Sequence, residues 1–84
     1  MATYQNADTC AVRLPELTLG DRGSIVGLVQ VLLTIKGYHI REHFAGVFEA
    51  ETKRAVEDYQ RDIGLTVTGT VNTPTWGWLL KMGG

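Results

Sequence analysis

The chain has 84 residues, with eight Lys and Arg against nine Asp and Glu and a formal net charge of −1. That length supports one small domain burying roughly 60% of its unfolded surface, which excludes a barrel, a doubly wound sheet or a two-domain cofactor enzyme. Apolar residues make up 44% and charged residues 20%, as in globular rather than disordered chains. A nucleic-acid binder draws most of its affinity from a basic excess, and none is present, so nucleic acid is not an expected partner. No apolar run reaches the roughly 18 residues of a membrane span. Cys10 is the single cysteine, so no internal disulfide is expected. The stretch from Met1 to Asp8 is polar and lacks the layout of a secretory signal.

Residues 1–13 show no period and read as an arm or linker; residues 14–84 read as the domain. Leu14–Leu19 alternates apolar and polar residues, but Pro15 argues against a strand. Gly20-Asp21-Arg22-Gly23 is a turn cluster, and Ser24 offers an N-cap hydroxyl. Ile25, Val26, Val29, Leu32, Leu33 and Ile35 then fit a helical face. Several are β-branched, so burial rather than propensity must hold that helix. Gly37 stands where a left-handed stop belongs. In a second helix Thr52, Ala55, Val56, Tyr59 and Ile63 share one face. The other face carries Lys53, Arg54, Glu57, Asp58, Arg61 and Asp62, with Arg54–Asp58 and Glu57–Arg61 as expected i, i+4 pairs. Gly64-Leu65 reads as a Schellman stop. A third helix is expected with Thr73 as N-cap and Pro74 at its first position, turning Trp76, Leu79 and Leu80 inward. The fold class is all-α, a compact three-helix bundle with short extended links.

Two motifs recur in the same order. Val26-x-x-Val29-Gln30 matches Val56-x-x-Tyr59-Gln60, and Gly46-x-Phe48-x-x-x-Thr52 matches Gly69-x-Val71-x-x-x-Thr75. Each half is a helix carrying Gln, a glycine stop, then a Gly-x-apolar turn feeding the next helix through a Thr. The glycine permits positive φ or tight packing, and the apolar residue two later plugs the core. The Thr hydroxyl can bond backbone near the new helix start.

This ordered set, from Leu19-Gly20-Asp21-Arg22-Gly23 to Gly69-x-Val71-x-x-x-Thr75-Trp76-x-x-Leu79, resembles the peptidoglycan-binding domain of bacterial and phage cell-wall hydrolases. The resemblance spans about residues 17–80. It implies non-catalytic binding of peptidoglycan, through glycan strand or stem peptide, by a module that targets a linked or associated hydrolase. It also implies an extracellular or wall-associated setting. The family usually has Asp before each turn glycine and a second glycine after the apolar residue. This chain has Ala45 and Thr68, then Glu49 and Asn72. Asn72 suits left-handed geometry better than Glu49 does. An alternative is a protein-interaction or pro-domain role. The module also resembles propeptides of some metalloproteases, which inhibit through a cysteine after it, whereas Cys10 comes before.

No catalytic constellation stands out. His39 and His43 follow the end of the first helix and lack an obvious third ligand, so no metal is expected. Glu49/Glu51 and Glu57/Asp58 read as helix-end charge and a solvated face, and no cofactor is implied. A wall binder needs an aromatic platform, a fixed cation and amide or backbone donors. Trp78 points away from Trp76 and offers a platform for a sugar or the parent protein, or else covers the arm of residues 1–13. Arg22 offers a fork for a carboxylate, or else a salt bridge with its turn neighbour Asp21. Gln30 and Gln60 either fix the two turns or line a groove with their amides. The Tyr59 hydroxyl needs a partner or reaches the groove, and Phe44 flanks the first turn. The candidate ligand-binding set is therefore Asp21, Arg22, Gln30, Phe44, Tyr59, Gln60 and Trp78.

Overall fold

A computed structural model describes residues 14–41 and 46–81. Expectations for residues 1–13, including Cys10, and for His43, Phe44, Ala45 and Met82–Gly84 lie outside the described residues.

Three helices form among the described residues: α1 (Ser24–Ile35), α2 (Ala50–Ile63) and α3 (Thr73–Leu79). α1 packs on both α2 and α3. One core holds them together, with Val26, Val29 and Leu33 from α1, Ala55, Val56 and Tyr59 from α2, and Trp76 and Leu79 from α3. Leu17, Ile40, Phe48 and Val71 reach that core from the connecting segments. The β-branched face of α1 is thus stabilised by burial, as its composition requires. Among the described residues extended structure amounts to two isolated bridges, Leu17 with Val71 and Arg22 with Val47.

The helix stops follow the glycines. After α1, Tyr38 N donates to Leu33 O at 2.9 Å and Gly37 N to Thr34 O at 3.0 Å, the paired bonds of a Schellman turn. After α2, Leu65 N donates to Gln60 O at 2.9 Å and Gly64 N to Arg61 O at 3.3 Å, the same arrangement.

The helix starts differ from the expectation by one residue. Ser24 is already helical, and Gly23 occupies the cap with no side-chain bond. At α3 the cap is Asn72, whose Oδ1 accepts from Thr75 N at 3.2 Å, so Thr73 and Pro74 lie inside the first turn. Asn is as good a cap as Thr or better, and it wins the position. Leu80 comes after the last turn of α3 and is exposed, whereas Trp76 and Leu79 are buried.

Residues 17–23 run as a strap across the bundle. Gly23 N donates to Gly46 O, Gly20 N to Phe48 O and Phe48 N to Asp21 O, each at 2.8 Å. Leu17 exchanges backbone bonds with Val71 at 3.2 and 2.8 Å. The Trp76 indole N–H donates to Pro15 O at 2.8 Å, fixing the start of the strap against α3.

Candidate binding site

The recurring Gln, Gly and Thr build two matching turns. The Gln30 amide nitrogen donates to Val47 O and to Thr52 Oγ1, both at 3.0 Å. Its oxygen accepts from Gly46 N at 3.1 Å. The Gln60 nitrogen donates to Thr70 O at 2.9 Å and Thr75 Oγ1 at 3.0 Å. Its oxygen accepts from Gly69 N at 3.1 Å and Thr68 N at 2.9 Å. Gly46 and Gly69 share φ 77, which lets each amide face its glutamine. Both glutamines are fully buried, and their polar atoms are satisfied within the turns. This corrects the placement of Gln30 and Gln60 in a ligand groove; they fix the turns on which surface residues stand. Glu49 and Asn72 are both extended, at φ −109 and φ −96, so neither position needs the second glycine.

The Schellman stop at Gly37 folds the following chain back over α2. The Tyr38 ring packs edge-on against Tyr59, with centroids 5.5 Å apart. Its hydroxyl donates to Asp62 Oδ2 at 2.5 Å. Ile40 plugs into the core, and Arg41 N donates to Glu51 Oε2 at 3.0 Å. Between this loop and α2 opens a groove of about 590 Å³. Its loop wall holds Gly37, Tyr38, His39 and Arg41; its helix wall holds Ala50, Glu51, Lys53, Arg54, Ala55, Glu57 and Asp58.

The walls carry charge of both signs. Arg41 Nε lies 3.6 Å from Glu51, and Lys53 Nζ lies 3.1 Å from Glu57. Asp58 pairs at 3.0 Å with Arg61, outside the groove lining. The expected Arg54–Asp58 and Glu57–Arg61 pairs are thus replaced by Lys53–Glu57 and Asp58–Arg61. Among the described residues Arg54 has no ion pair. The hydrogen bond to Asp62, with burial and the neighbouring negative charge, pushes the Tyr38 hydroxyl up to about 12. Burial also raises that of Tyr59. Among the described residues no group of three or more His, Cys, Asp or Glu is placed to hold a metal ion. No described helix is long and apolar enough to cross a membrane.

The other sequence candidates stand apart from this groove. Asp21 Oδ2 accepts from Thr18 N at 2.8 Å and so closes its own turn. Arg22 is exposed beside it and makes no ion pair among the described residues. Tyr59 is only 4% exposed and belongs to the core. Trp78 is 40% exposed, with the Lys81 ammonium 4.4 Å from its ring centroid. None of these residues lines the groove. Of the groove residues, Lys53, Arg54, Glu57 and Asp58 belong to the face of α2 expected to be solvated. The signal for them is a mixed-sign row on α2 beside a loop that a glycine stop turns back.

A profile of the peptidoglycan binding domain family matches residues 22–79. The chain belongs to that family. The match begins in the strap and ends with α3, so it includes both glutamine turns. Among curated proteins none matches the sequence. Several solved structures resemble this peptidoglycan binding domain. One is a peptidoglycan-binding protein from Clostridioides difficile in complex with glutamine hydroxamate; it is 29% identical, with a TM-score of 0.73 over 77% of this chain and 40% of its own. A Burkholderia AP3 phage endolysin is 30% identical, with a TM-score of 0.75 over 79% of this chain and 25% of its own. The SleB N-terminal domain is 27% identical, with a TM-score of 0.76 over 83% of this chain and 94% of its own. The peptidoglycan binding domain thus spans less than half the length of the first two and nearly all of the third.

Proposed function

We propose that this domain binds bacterial peptidoglycan without catalysis and holds a linked or associated wall hydrolase on its polymer. The observation that carries this reading is the family match over residues 22–79. A protein of similar fold that is an endolysin supports the link to wall hydrolysis. The groove between residues 37–41 and α2 is the proposed contact surface, with Arg22 and Trp78 as further exposed contacts. The setting is extracellular or wall-associated. Tethering raises the local concentration of a hydrolase on an insoluble substrate even when each contact is weak. An open polar groove gains few apolar contacts, so modest single-site affinity is expected. Cosedimentation of the folded domain with purified sacculi tests the reading. The domain is expected in the pellet at low and moderate salt. Recovery in the supernatant throughout would overturn it.

A further inference from the structure

We infer that the groove holds the stem peptide of peptidoglycan rather than its glycan strand, with a peptide carboxylate on Arg54 and a peptide ammonium on Asp58. This rests on the wall-binding reading and names its ligand. In the intact wall the lactyl carboxylate of each muramic acid is amidated by the stem peptide, so the glycan strand is uncharged, whereas the stem peptides carry free carboxylates and amines. Glu51, Arg54 and Asp58 occupy i, i+3 and i+7 on α2, alternating acid, base and acid along one strip. All three line the groove. Arg54 is exposed and has no ion pair among the described residues, so its guanidinium fork is open to a carboxylate.

Asp58 is also accessible. It and its partner Arg61 are 50% and 62% exposed, and such a surface pair is worth little. Its carboxylate exchanges to a ligand ammonium at small cost. Arg54 and Asp58 stand about 6 Å apart along the helix axis, one turn. An amino-acid end carrying ammonium and carboxylate on one carbon spans that interval once the two side chains lean together.

A sugar strand calls for open aromatic faces. Apart from the His39 imidazole, Tyr38 is the one aromatic residue among the described lining. Its ring packs edge-on against Tyr59, and its hydroxyl is held by Asp62. Trp78 lies outside the lining, and its ring already has a cationic neighbour in Lys81.

Three probes test the inference: intact sacculi, glycan strands stripped of peptide by an amidase with the freed lactyl carboxylates capped as methylamides, and the soluble tripeptide of L-alanine, γ-linked D-glutamate and meso-diaminopimelate. The expected result is retention on sacculi, loss of retention on stripped strands, and tripeptide-induced chemical-shift changes at Tyr38, Arg54 and Asp58. Arg54→Gln is expected to weaken tripeptide binding about tenfold, from losing a charge-assisted contact, with partial recovery in Arg54→Lys. Circular dichroism confirms that the variants are folded. Equal retention on stripped strands and sacculi, absent tripeptide shifts, or unchanged tripeptide affinity in Arg54→Gln would each overturn the inference while leaving wall binding intact. No retention on sacculi would overturn the wall-binding reading and the inference with it.

Discussion

The two glutamine turns share a hydrogen-bond skeleton but complete it with different material. Around Gly46 the strap supplies backbone, through Gly20, Asp21 and Gly23. Around Gly69 side chains take over much of that role. The Thr68 hydroxyl accepts from Thr70 N at 3.1 Å, and Asn72 caps α3. Glu49, at the equivalent cap of α2, makes no side-chain cap bond. The core plugs differ too, Phe48 in one turn and Val71 in the other, both fully buried. The common requirement is the amide clamp and its glycine; the surrounding groups are replaceable because several donors can satisfy the same backbone.

The largest expected difference between the halves is at the plugs. Phe48→Ala should cost about 3–5 kcal/mol and Val71→Ala about 2, read from urea unfolding. Equal costs would show that the site around Phe48 collapses onto the gap more completely than that around Val71. The clamps come next. Gln60→Ala should cost about 2–4 kcal/mol, because buried donors and acceptors lose their partners. Gln30→Ala should cost less, since Gln60 also accepts from Thr68 N. The reverse order would place the weight of the fold on the first turn.

The glycines sharpen the contrast further. An added Cβ at Gly46 would meet Gly23 O at 3.1 Å. That oxygen already accepts from Val26 N and Gly27 N at the start of α1, so it cannot retreat freely. At Gly69 the near atoms are Lys53 Cε at 2.9 Å, Glu57 Oε2 at 3.1 Å and Lys53 Cγ at 3.1 Å, all in long side chains rather than backbone. Both substitutions carry a left-handed cost of about 1–2 kcal/mol, and Gly46→Ala should exceed Gly69→Ala in thermal unfolding. Asn72→Ala should remove a cap worth about 1 kcal/mol, whereas Glu49→Ala should be nearly neutral.

The smallest effect is a pH response at the groove wall. Tyr38 titrates near 12 in the fold against about 10 in an unfolded chain. A raised folded value means its contribution is complete below pH of about 10 and is lost as pH climbs through the folded value. Stability should therefore decline in that alkaline window, and Tyr38→Phe should flatten part of the decline. Ultraviolet titration of the phenolates checks the assignment.

The repeat was legible because its chemistry is local and specific: an amide, a flexible backbone position and a hydroxyl at fixed spacing. Trp76 and the buried face of α2 followed from helical periodicity. The caps moved by one residue because Gly23 and Asn72, just ahead of the expected positions, also suit an N-cap. The ion pairs were not legible, since exposed charges on a helix have i+3 and i+4 partners of nearly equal worth. The groove was hidden for a different reason. It forms only when the chain after Gly37 folds back over α2, a contact between segments that sequence spacing does not encode. The burial of Gln30 and Gln60 does not follow from their spacing, because an amide serves a turn or a ligand with the same atoms.

The strap bears on the order in which the chain is completed. The bond from the Trp76 indole to Pro15 O joins residues 61 apart in sequence. During synthesis α1 and α2 emerge before α3, so the early segment must wait for its last partner. Until then Leu17 has no Val71 to pair with, and the apolar side of α1 lacks Trp76 and Leu79. Late-closing contacts of this kind slow folding and leave apolar surface open in the nascent chain. Final closure therefore waits until α3 has left the ribosome, which makes the shortest of the described helices the latch of the fold.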